Sequence, residues 1–137
     1  MTQSDFGASN ELEQLLVRVH RGWAKMEEFI AALPGSRVVL LTDKEVGPDW
    51  DDAVLPLAIR LPEGPLALAV FTAKQRVMPW LPKFTQFNYV VELDFPAVLA
   101  RMQPGAAMLI DPGWDLGLIM KSDTLDEMKR LVFPAQA

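Results

Sequence analysis

Two acids bracket a turn in the stretch AAMLIDPGWDLG, residues 106–117. Asp111 and Asp115 stand four residues apart on either side of Pro112-Gly113-Trp114. Two carboxylates held across a turn could bind a cation, or divide the roles of general acid and general base. No His, Lys or third acid stands beside them in sequence to complete such a site. The plainer chemistry is that of the backbone. Pro112 presets φ at the second position of a turn, and Gly113 accepts the positive φ of the third, which spells a type II turn. Asp111 at the first position is then expected to accept a nearby backbone N–H. No catalytic residue is assigned here. Trp114 is the less ordinary member of the stretch, because a ring on a turn either folds back over the core or offers a contact surface.

Thr72 is a second candidate. Its hydroxyl could serve as a nucleophile or contact a phosphate, but no Gly-rich run precedes it, so a P-loop is excluded. Thr72 and Gln75 form T-x-x-Q, a capping-box spelling, and an N-cap role is expected. His20 is the only histidine. None of Ser4, Ser9, Ser36 and Ser122 sits in G-x-S-x-G, and no H-x-x-E or H-E-x-x-H spacing exists, so neither a Ser-His-Asp triad nor a zinc site is expected. The acids Asp43, Glu45, Asp49, Asp51 and Asp52 do not follow the calcium-loop spelling, and Trp50 lies among them in a predicted acidic loop. No metal and no cofactor is expected.

The chain that must position these groups has 137 residues, a length suited to one domain. Half its residues are hydrophobic and its mean hydropathy is +0.14, too apolar for a disordered chain. A net charge of −5 with scattered Lys and Arg argues against a phosphate backbone or an anionic membrane as partner. Absence of cysteine removes disulfides and thiolate chemistry and fits a cytoplasmic protein. The N-terminus lacks the basic and apolar regions of a signal peptide, and no apolar run is long enough to span a bilayer.

Residues 1–9 are small and polar and are expected to form a disordered tail, leaving 10–137 as the single domain. Asn10 and Glu13 spell a helix cap. Leu12, Leu16, Val19, Trp23, Met26, Ile30 and Leu33 then form one stripe at spacings of four and three, as one long helix or two helices broken near Gly22. Strands are predicted at 38–42, at 55–61 and 66–71 as a hairpin, at 89–93, at 106–110 and at 118–120. Helices are predicted from Ala73 to Trp80, from Phe95 to Met102 behind an Asp94 cap, and from Ser122 or Asp123 onward with Leu125, Met128, Leu131 and Val132 buried. The hairpin interrupts an otherwise alternating order. The expected fold is therefore α+β or α/β, a mixed sheet of about five to six strands with helices packed on it.

Three pieces resemble the SseB N-terminal domain family of bacterial proteins: FTAKQRVMPW at 71–80, VVELDFPAVLARM at 90–102 and AAMLIDPGWDLG at 106–117. The resemblance extends over roughly residues 11–131. The family pattern has Asn where this chain has Asp111. The resemblance implies an α/β domain and carries no active site to transfer.

With no catalytic constellation in view, the expected role is a non-enzymatic interaction module, binding another protein or its own copy. Trp114, Asp111, Asp115, Trp80 and Trp50 are its candidate binding residues, with Phe84, Phe87 and Tyr89 nearby in or beside loops. The competing reading is a small-molecule binder or enzyme in which Asp111, Asp115 and Thr72 meet at one end of the sheet. A secretion-related adaptor or chaperone-like factor is the third.

Overall fold

The computed structural model describes residues 10–46, 54–62, 64–83 and 85–133. The expected tail at 1–9, Trp50 with most of its acidic loop, and Phe84 lie outside these residues. The order of elements is α1 (Glu11–His20), α2 (Met26–Ala32), β1 (Arg37–Thr42), β2 (Ala58–Arg60), β3 (Leu66–Val70), β4 (Tyr89–Asp94), α3 (Phe95–Ala100), β5 (Ala107–Ile110), β6 (Leu118–Met120) and α4 (Ser122–Val132). Single 3-10 turns cover Leu33–Gly35 and Lys74–Val77. This is an α+β domain, as its segment order predicts.

Asn10 caps α1 by accepting from the Glu13 N–H at 2.8 Å. The apolar stripe of the first thirty-odd residues is two helices, not one. Gly22 adopts φ +78° between them, a conformation that ends α1 at little steric cost. Leu12, Leu16, Phe29 and Leu33 are buried, but Trp23 is 67% exposed because it falls in the link, where the helical period no longer points at the core. Leu131, expected on the buried side of α4, is also exposed. Asp94 occupies the N-cap position of α3 without a side-chain cap bond and instead lies 3.6 Å from Arg37.

The strands form a four-stranded sheet in the order β2-β3-β5-β6 and a two-stranded sheet of β1 and β4. Pairing is antiparallel except for β3 with β5, which run parallel from Ala67–Ala107 to Val70–Ile110. The predicted hairpin is β2 and β3, although β2 is shorter than expected: Pro56 reaches only an isolated bridge to Thr42. The two sheets join along β1. Val39 and Phe71 exchange two backbone hydrogen bonds of 2.8 Å, and Leu57 donates to Leu41 at 2.8 Å.

Because β1 is buried on both faces, its alternate residues serve two cores. Val38 and Leu40 join the larger core with Leu16, Phe29, Phe95, Leu99 and Leu125. Val39 and Leu41 join a smaller one with Leu57, Phe71 and Val77, against which Trp80 and Phe87 pack. No described helix is long and apolar enough to cross a membrane.

Candidate functional site

The parallel strands β3 and β5 end side by side, and their last residues lead directly into Thr72 and Asp111. The ladder continues one step beyond them, with the Asp111 N–H donating to Val70 O at 2.8 Å. Thr72 and Asp111 are therefore brought together, as the small-molecule reading expected. Asp115 is not: it is exposed, while Asp111 is fully buried. The two acids of the turn do not work as a pair.

Asp111 meets Thr72 twice. Its Oδ1 accepts the Thr72 N–H at 2.8 Å and its Oδ2 lies 2.6 Å from Thr72 Oγ1. The same hydroxyl lies 2.5 Å from Glu13 Oε2, which reaches across from α1. Arg76, in the 3-10 turn, then donates to Glu13 with Nε at 2.7 Å and a terminal nitrogen at 3.0 Å. Glu13, Thr72, Arg76 and Asp111 are each 0–2% exposed. A buried polar group without a partner is costly, and here every described buried side-chain polar atom has one. Burial pushes the Asp111 carboxyl up from 3.8 to about 6. The hydrogen bonds from Thr72 oppose that rise, the Glu13 charge adds to it, and the Arg76 charge opposes it.

Around this cluster lies the turn. Trp114 N–H donates to Asp111 O at 3.2 Å and Gly113 sits at φ +86°, the type II geometry its Pro-Gly pair predicts. Asp111 itself has φ +49°, in the left-handed region that Asp tolerates better than most residues. Its carboxylate serves Thr72, thirty-nine residues away, and not the turn's own N–H groups as expected. Gly117 is a steric requirement, because a Cβ there would stand 2.5 Å from Asp111 O.

Both tryptophans of the candidate set fold back onto this end of the sheet. Trp114 is half-buried, donates its indole N–H to Arg76 O at 2.9 Å, and lies under the Arg76 guanidinium at 4.6 Å. Trp80 is half-buried and donates to Pro112 O at 2.7 Å, with Gly113 close against its ring. The indoles thus clamp the turn over the ion pair. Trp50 lies outside the described residues.

Two members escape a local reading. Glu13 reads as a capping residue, and its N–H is indeed capped, but its carboxylate is the buried hub of the cluster. Arg76 carries no motif at all. Thr72 is a correction: Ala73 is the N-cap of the 3-10 turn, no side chain caps it, and the Thr72 hydroxyl is taken by two acids. The helix expected over 73–80 is correspondingly only Lys74–Val77. His20 is exposed at the end of α1, away from the cluster.

Chemically the cluster can hold a charge and a proton, but it meets solvent poorly. An open cleft of about 530 Å³ passes it, lined in part by Asn10, Thr72, Gln75 and Glu92, yet Glu13, Arg76 and Asp111 do not line it. No group of three or more metal-ligating side chains occurs among the described residues.

At the opposite ends of β3 and β5 lies a cavity of about 590 Å³. Val54, Leu55, Pro56, Leu66, Leu68, Val98 and Met102 line it, with Arg101 and Gln103 as its polar members. Leu55 and Leu66 are 56% and 47% exposed at its mouth.

The family model of the SseB protein N-terminal domain matches residues 12–127, most of the chain. The chain belongs to the SseB N-terminal domain family. The match spans α1 through most of α4 and so includes all four cluster residues of this SseB domain. Searches of curated proteins and of solved structures return no match.

Proposed function

We propose that this SseB domain is a non-enzymatic interaction module that receives an apolar segment of a partner protein. One observation carries the reading: Glu13, Asp111 and the Thr72 hydroxyl are buried and satisfy one another, while the open surface at the other end of the same strands is mainly apolar. Parallel strands commonly place ligand sites beyond their carboxyl ends. Here that position is filled by the domain's own turn and two indoles. The groove at the amino ends is an uncovered part of the sheet face that α3 and α4 cover elsewhere, so its Leu55 and Leu66 are core-type residues left at the surface. Such exposed apolar residues gathered round a depression mark contact sites. Trp80 and Trp114, which stay partly exposed, form a second surface at the other end of the strands.

The test is site-specific photo-crosslinking in the native host with a photoreactive residue at position 55, and a control at exposed Lys121. The expected result is a discrete protein adduct at position 55 that is absent at 121 and is lost in Leu66→Glu. Adducts equal at both positions, or indifferent to Leu66→Glu, overturn the reading. A groove of about 590 Å³ is also of a size that takes small ligands, so a bound apolar metabolite in place of a protein adduct would make the groove a small-ligand site and overturn the protein-partner reading.

A further inference from the structure

The Thr72 hydroxyl has one hydrogen and two acidic neighbours. Its oxygen lies 2.5 Å from Glu13 Oε2 and 2.6 Å from Asp111 Oδ2, both hydrogen-bond distances for oxygen pairs. An ionised carboxylate only accepts. Thr72 can therefore donate to one acid, and the other contact needs a proton of its own. Glu13 receives two guanidinium hydrogen bonds, one on each oxygen, which is the pattern of an ionised carboxylate. Asp111 has no ion pair among the described residues. The proton belongs on Asp111 Oδ2, which donates to Thr72 Oγ1, which donates to Glu13 Oε2, which accepts from Arg76. In that state the cluster holds one positive and one negative charge.

We propose that Asp111 is a proton-held latch: as a neutral acid it fastens the 111–117 turn to Thr72, and its ionisation releases that turn. Loss of the proton leaves two carboxylate oxygens facing one hydroxyl hydrogen, and one acid must withdraw. Glu13 cannot yield easily, since it sits in α1 between the buried Leu12 and Leu16 and is gripped by Arg76. The turn is the freer partner, because Asp115 and Gly117 are exposed, and among the described contacts two indole hydrogen bonds and the half-buried Leu116 hold it to the rest of the domain. The charged groups acting on Asp111 are Glu13 from α1, which opposes ionisation, and Arg76 from the 3-10 turn, which favours it. The flanking strands β3, β5 and β6 contain no ionisable side chain. Burial raises the Asp111 carboxyl to about 6, so the release falls well above the ordinary carboxylate range. This inference is independent of whether the apolar groove binds a partner.

The experiment is an NMR titration of the intact chain between about pH 4 and pH 8, following the Asp111 carboxyl carbon and the Trp114 and Trp80 indole N–H signals. A His20→Gln background removes the chain's single imidazole. The expected result is a shared midpoint near 6 for the carboxyl and both indoles. In Asp111→Asn, whose amide donates as the neutral acid does but cannot ionise, the indole signals should stay flat. A carboxyl midpoint near the ordinary 3.8, or indoles that do not follow the carboxyl, overturns the latch. So does an indole transition that persists in Asp111→Asn. If that variant fails to fold, coincidence of the three midpoints in the parent decides.

Discussion

The two ends of the β3–β5 pair differ in almost every physical respect. At the carboxyl end, Glu13, Thr72, Arg76 and Asp111 bring an ion pair and a further acid into the interior, with every polar atom satisfied and two indoles closing the turn above them. At the amino end the lining is almost wholly aliphatic, yet it is open. Polarity inside and apolarity outside reverse the usual arrangement. The polar end therefore makes sense as a structural lock, since a buried charge network is tolerated only when it is complete. The apolar end makes sense as a surface awaiting cover. At the carboxyl end the acids Glu13 and Asp111 are buried, and at the amino end the accessible lining is mainly apolar.

That contrast can be broken from either side, and the largest effect is expected at Arg76. Arg76→Ala leaves Glu13 charged, buried and without its bidentate partner, and should cost about 3–5 kcal/mol in urea unfolding. A loss below about 1 kcal/mol would mean the ion pair is solvated and the end is not sealed.

Next is the pH dependence. The folded Asp111 carboxyl, at about 6, holds its proton more tightly than the unfolded one, at 3.8. Its contribution to stability is therefore fully present below about pH 4 and is lost as pH rises through about 6. The loss is on the order of 3 kcal/mol. The difference in unfolding free energy between parent and Asp111→Asn should follow that curve, with the variant gaining on the parent toward neutral pH.

Gly117→Ala tests how tightly the turn is built. Its Cβ would meet the Asp111 carbonyl at 2.5 Å, so backbone must shift, at a cost of about 1–3 kcal/mol by thermal or urea unfolding. The smallest stability effect belongs to the other end. Leu66→Glu, at a half-exposed position, should change stability by no more than about 0.5 kcal/mol while abolishing partner capture.

Much of the fold was legible because its signals are local. Short aliphatic runs and turn spelling placed the strands, Asn10 capped α1 as its spacing requires, and Pro112-Gly113 made the expected turn. The candidate site was legible only in half. Asp111 and Thr72 stand out in sequence, but each had a sufficient local explanation, a turn and a cap. The partners they take lie thirty-nine and fifty-nine residues away. Glu13 and Arg76 carry the clearest lesson. Their roles follow from a bidentate contact across sixty-three residues, which no window of sequence contains. The exposure of Trp23 and Leu131 has a related cause: helical spacing predicts which face a residue shares, but not whether the core extends that far.

The contrast between the ends comes down to one comparison. With the photoreactive residue at position 55, the yield of partner adduct is measured in Leu66→Glu and in Trp114→Ala, each set against the parent. Leu66→Glu is expected to remove the adduct while leaving unfolding unchanged, and Trp114→Ala to lower the unfolding midpoint while a folded population still forms the adduct. Loss of the adduct in folded Trp114→Ala, with Leu66→Glu unaffected, would place the contact surface at the indoles and contradict this expectation.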